Sequence, residues 1–163
     1  MITHITSIQD LTDDALIART KTLVQNERLA TASLVEHLAE MDARRLYLAE
    51  GCSSLFTYCT QVLHLSEFAA YTRIAAARAG RRFPLVFECL ARGDVHLSAV
   101  DLLAPHLTAD NHPDLLGRAR HRSKREVERL VAEIAPKPPV VALVRRLPVR
   151  PASEDVDSGG GSL

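Results

Sequence analysis

From Thr12 to Gly51 the chain reads TDDALIARTKTLVQNERLATASLVEHLAEMDARRLYLAEG, with no proline and no glycine before its last residue. Apolar residues recur at Leu16, Leu23, Ala30, Leu34, Leu38 and Met41, in steps of seven, four and three. That spacing keeps one face of a helix apolar, and nothing in it alternates as a strand would. Thr12 can accept from the free amides of a helix start, and Asp13 and Asp14 suit its positive end. Gly51 is a natural stop. An unbroken helix of about 38 residues would run about 57 Å. Helices much beyond about 25 residues usually lean on a partner. The pattern therefore predicts one long helix that is either broken or paired along its length.

The remaining glycines and prolines fall where further helices should start and stop. CSSLFTYCTQVLHL is capped by Ser53 or Ser54 and turns Leu55, Phe56, Cys59, Val62 and Leu63 inward. Ser66 then starts LSEFAAYTRIAAARAG, which Gly80 is expected to end. Pro84 suits the first turn of PLVFECLARG, closed by Gly93. Ser98 begins SAVDLLAPHL, interrupted at Pro105, and Thr108 opens TADNHPDLLGRARHR. Ser123 and Glu126 form an S-x-x-E capping box before VERLVAEIAP. The reading is an all-α bundle of six or seven helices with a long first helix and no hairpin signal. Residues 1–11 are an N-terminal extension, 12–136 the helical domain, and 137–163 a Pro-rich linker and disordered tail, in which VVALV lacks a partner strand.

Composition narrows the class. The 163 residues are 47% hydrophobic and 25% charged, as a globular chain should be, and long enough to bury a core without staples. Cys52, Cys59 and Cys89 have no disulfide-framework spacing. No signal peptide precedes the first helix, and no apolar run approaches the roughly 20 residues of a membrane span. The expectation is a cytoplasmic protein with reduced thiols and no membrane partner.

Twenty Lys and Arg balance twenty Asp and Glu, but unevenly. Asp10, Asp13 and Asp14 make the start acidic, as Glu154, Asp155 and Asp157 do the tail. Residues 66–92 carry Arg73, Arg78, Arg81, Arg82 and Arg92 against Glu67 and Glu88. Residues 117–130 carry Arg118, Arg120, Arg122, Lys124, Arg125 and Arg129 against Glu126 and Glu128. Such clusters suit phosphate contact, and equally suit a solvated helix face. Around the first cluster, VLHL, a turn at Ser66 and a second helix with Ala69, Ala70 and Ile74 inward form a helix-turn-helix-like pair. Its outer face would carry Glu67, Tyr71, Arg73 and Arg78, with Arg81 and Arg82 beyond.

No catalytic constellation assembles. There is no H-E-x-x-H, C-x-x-C, G-x-S-x-G or phosphate-binding glycine loop, so no metal or cofactor is expected. The seven histidines are read as caps and interhelical hydrogen bonders. Cys59 is read as a small hydrophobe rather than a nucleophile.

Two stretches, AEMDARRLYLAEGCSSLFTYCTQVLHLSEFAAYTRIAAARAGRRFP and HLSAVDLLAPHLTADNHPDLLGRARHRSKREVERLVAEIAP, resemble the helical N-terminal region of a bacterial family of HNH endonuclease proteins. The resemblance covers roughly residues 9–137. It implies an all-helical module that places a metal-dependent nuclease on DNA. The His base, the metal-binding His or Asn pair and the ββα hairpin of an HNH domain are missing from this sequence. The resemblance thus implies a truncated or standalone copy without nuclease activity. The expected partner is duplex DNA, contacted by Arg73, Arg78, Arg81 and Arg82 and by Arg122, Lys124 and Arg125. The alternative is an interaction module whose first helix pairs with another copy or another protein.

Overall fold

A computed structural model describes residues 7–135. The described chain is all helical, with seven helices and short 3-10 turns. The expected linker and tail lie outside the described residues.

The long first helix, α1, spans Asp13–Arg44. Thr12 caps it, its hydroxyl accepting from the Ala15 amide at 3.3 Å. Thirty-two residues make a rod of about 48 Å. The helix is broken six residues before Gly51, where Arg45 takes a left-handed conformation at φ 53°. A 3-10 turn, Leu46–Leu48, follows.

Next, α2, Leu55–Thr57, passes directly into a π-helical turn over Tyr58–Val62. The wider turn shifts the register of its last residues. Leu55 and Cys59 are buried and Phe56 and Leu63 half-buried, but Val62, expected inward, is exposed. His64, at φ 53°, turns the chain into α3, Glu67–Arg82, whose first turn Ser66 caps.

Gly80 does not end α3. It lies inside the last turn, buried against α4, Leu85–Arg92. A Cβ at Gly80 would stand 2.2 Å from the Phe87 ring, so the glycine serves close helix packing rather than termination. Gly93, at φ 74°, does close α4.

The helix α5, Leu97–Leu103, starts one residue before Ser98, and its cap is His96. The imidazole Nδ1 accepts from the Ala99 amide at 3.1 Å, work that Ser98 was expected to do. Pro105 falls in a 3-10 turn, Ala104–His106. Thr108 and Asn111 bond each other's backbone in the turn before α6, His112–Arg118. The Ser123–Glu126 capping box forms as read and opens α7, Lys124–Ile134.

The core lies between the C-terminal half of α1 and the helices crossing it. Ala32, Val35, Leu38 and Ala39 pack on α3 and α4. Ala70, Ala76, Ala77 and Ala79 let α3 approach its neighbours closely. Beyond α3, α5 packs on it with Ala99, Val100 and Leu103, and α7 closes over α5 with Val127 and Leu130. The N-terminal half of α1 has no such cover. Every residue from Thr12 to Ala30 is exposed, including Leu16, Ile17, Leu23, Val24 and Leu29. One apolar stripe thus serves the core from Leu34 to Met41 and projects into solvent from Leu16 to Leu23.

Candidate nucleic-acid interface

The first arginine cluster is largely engaged within the fold. Arg78 Nε donates to Asp42 Oδ2 at 2.9 Å, which fastens α3 to α1 and raises the guanidinium's proton affinity. Arg81 reaches the Ala39 carbonyl of α1 at 3.4 Å while staying exposed. The Arg82 guanidinium lies over the Phe83 ring, 5.1 Å from its centre. Arg73 departs from the expectation. It sits about 200° around α3 from Tyr71 and so cannot share the outer face of Tyr71 and Arg78. It is half-buried, Nη1 donating to the Ala69 carbonyl at 3.2 Å and Nε buried without a partner. Its charge faces Cys59, whose thiol burial pushes up in proton affinity more strongly than Arg73 lowers it. Cys52 and Cys89 are likewise buried free thiols, and burial raises Cys89 too.

The second cluster surrounds the corner between α6 and α7. Asp94 organises it from the α4–α5 turn. Its two carboxylate oxygens take Arg92 Nε at 2.8 Å and Arg120 Nε at 2.9 Å, and its carbonyl accepts from the His121 amide at 2.7 Å. The Arg92 hydrogen bond, then the Arg120 charge, hold the Asp94 carboxyl below the ordinary range against the opposing effect of burial. His96 adds a second tie. With Nδ1 accepting from Ala99, the ring proton is on Nε2, which donates to the Arg122 carbonyl at 3.2 Å. These bonds fix where Arg122 and the start of α7 stand.

Several cations of this corner are spent. Arg118 reaches Glu133 at 3.3 Å and Lys124 reaches Glu128 at 3.9 Å. Arg122, Arg125 and Arg129 are exposed and have no carboxylate within ion-pair distance among the described residues. Arg125 and Arg129, four apart, lie along one side of α7 away from buried Val127 and Leu130, while Arg122 stands just before the Ser123 cap, outside the helix.

Between this corner and α1 lies an open cavity of about 720 Å³. Val24, Glu27, Arg28 and Thr31 form its α1 wall, and His96, His121 and Arg122 stand opposite. Arg28 was missed in the sequence, where it stands outside both basic clusters. Its guanidinium lies on Gly93, where any Cβ would come within 2.5 Å of it. Asp94 was missed for the same reason, as its partners come from residues 92 and 120.

The two clusters do not merge. Arg78 attaches at Asp42 and the cavity at Arg28, fourteen residues and about 21 Å apart along α1. No group of three His, Cys, Asp or Glu side chains is placed to hold a metal ion among the described residues. Nor is any described helix long and apolar enough to cross a membrane. Of the histidines expected as caps and bridges, His96 does both, whereas His37 bonds the Ser33 carbonyl within α1 and His112 the nearby Thr108 and Ala109 carbonyls. The architecture is that of an all-α module with a projecting first helix. No protein-family model, curated protein or solved structure matches the chain.

Proposed function

We propose that the chain is a non-catalytic module that binds duplex DNA through its phosphate backbone, with the α6–α7 corner as the contact surface. The observation that carries this reading is the group Arg125 and Arg129 on α7 with Arg122 just before its cap, all exposed and with no carboxylate within ion-pair distance among the described residues. Each phosphate neutralised by such a side chain releases condensed counterions. Lys124 can exchange Glu128 for a phosphate at little cost, because an exposed ion pair contributes at most about 1 kcal/mol. Arg81 and Arg82 are exposed at the far end of α3, apart from this surface, whereas Arg73 and Arg78 serve the fold. The resemblance to the helical region that precedes HNH nuclease domains supports the same reading.

Binding of a duplex oligonucleotide, followed between about 50 and 500 mM salt, tests it. Affinity should fall steeply with salt. Replacing Arg122, Arg125 and Arg129 by Ala should reduce the logarithmic slope by about 3 and weaken all sequences alike. Salt-independent binding, or an unchanged slope in the triple variant, would remove DNA from the account.

A second reading, a protein-docking module acting through α1, is favoured by the exposed row Leu16, Ile17, Leu23 and Val24. Contiguous apolar surface of this kind marks interaction sites.

A further inference from the structure

The exposed half of α1 carries charge and apolar surface in an order that complements itself when reversed. Asp13, Ile17, Thr20, Val24 and Arg28 are spaced four, three, four and four, so they occupy one helix face. Leu16 and Leu23 flank it on one side, and Asp14 and Lys21 on the other. The face is acidic at its first turn and basic at Arg28. We infer that its partner is a second copy of the same helix, laid antiparallel across a two-fold axis between Thr20 and Lys21.

In that register Ile17 of one protomer meets Val24 of its partner, and the two leucine flanks fall on the same side. The first turn of each α1, with Asp13 and Asp14, comes to Arg28 of the other. The same face runs without interruption into the cavity, since Val24 and Arg28 belong to both. The acidic start of the second copy therefore enters a cavity rimmed by Arg28, Arg122 and His121. Among the acids there, Asp94 is already satisfied by Arg92 and Arg120, and Glu27 lies on the leucine side away from Asp14. The two Lys21 meet only at the solvent edge of the axis. A parallel arrangement would instead set Asp13 against Asp13 and Arg28 against Arg28. An isologous contact of this kind closes at two copies.

The inference rests on α1 being a docking surface, and one experiment separates the two. Sedimentation equilibrium of the full chain between about 1 and 200 µM should show a monomer–dimer equilibrium. Ile17→Glu with Leu23→Glu should weaken it at least about tenfold, while thermal unfolding at concentrations where the wild type is monomeric stays unchanged because neither residue touches the core. Asp14→Arg and Arg28→Asp should each weaken it about fivefold, and the two together should restore it to within about threefold. A chain that stays monomeric throughout overturns the second copy as partner and leaves α1 free for another protein. Dimers indifferent to the Glu pair remove α1 as a docking surface altogether. Dimers dispersed by the Glu pair but not restored by the charge exchange overturn the antiparallel register.

Discussion

Gly80→Ala sets two opposing effects against each other inside α3. Alanine stabilises a helix interior by about 1 kcal/mol relative to glycine, so on helix propensity alone the substitution should help. The new methyl carbon would stand 2.2, 2.4 and 2.7 Å from three Phe87 ring carbons, where contact distance is about 3.5 Å or more. Relieving that overlap pushes the ring toward the groove between α1 and α4, out of its rotamer, at about 2–3 kcal/mol. The net expectation is a loss of about 1–2 kcal/mol, or roughly 3–8 °C in Tm for a domain of this size. Denaturant and thermal unfolding followed by circular dichroism would measure it. The decisive comparison repeats the substitution in a Phe87→Ala background, where the ring is gone. There Gly80→Ala should stabilise by up to about 1 kcal/mol, giving a coupling of about 2–3 kcal/mol between the positions. Equal effects in both backgrounds would refute the packing argument and return Gly80 to the role of helix terminator.

Other perturbations separate the covered from the uncovered parts of the molecule. Leu38→Ala empties a site that is 1% exposed beneath α3 and α4 and should cost about 2–5 kcal/mol in global unfolding. Thr12→Ala removes the cap of α1, worth about 1 kcal/mol locally, and should appear as lost helicity with unchanged Tm, because the turns it supports touch no core. Asp94→Asn should cost about 1–2 kcal/mol near pH 7 through the bonds to Arg92 and Arg120. Asp94 is held below its ordinary proton affinity, so its stabilisation is complete above about pH 4 and fades as pH falls through its lower folded value. Wild type and Asp94→Asn should therefore converge in Tm below about pH 4; curves that stay parallel would show that the carboxylate does not hold the corner.

The helix ends were largely legible, because a cap needs only residues a few positions away. Thr12, Ser54, Ser66, Gly93 and the Ser123–Glu126 box act as read, each through a bond or backbone angle spanning one turn. Where a local candidate failed, a neighbour supplied the same bond, as His96 did for Ser98. The candidate interface was less legible. Arg73 and Arg78 read alike in a charge count, yet one is turned toward Cys59 and the other is held by Asp42 from 36 residues away. Asp94 and Arg28 belong to no motif, and they matter only where α1, the α4–α5 turn and the α6–α7 corner meet.

The long first helix shows the division most plainly. Its periodicity and cap determine by themselves that the segment is helical, since backbone hydrogen bonds and side-chain direction repeat every turn whatever lies outside. Leu16, Leu23 and Leu38 share that stripe, but Leu38 is buried and the other two are exposed. Only the tertiary structure decides this, because burial requires a second surface, and α3 and α4 bury α1 only over its C-terminal half, α4 reaching further back only through the Gln25–Ala91 hydrogen bond and the Arg28–Gly93 contact. The part they leave open is the part available to a partner.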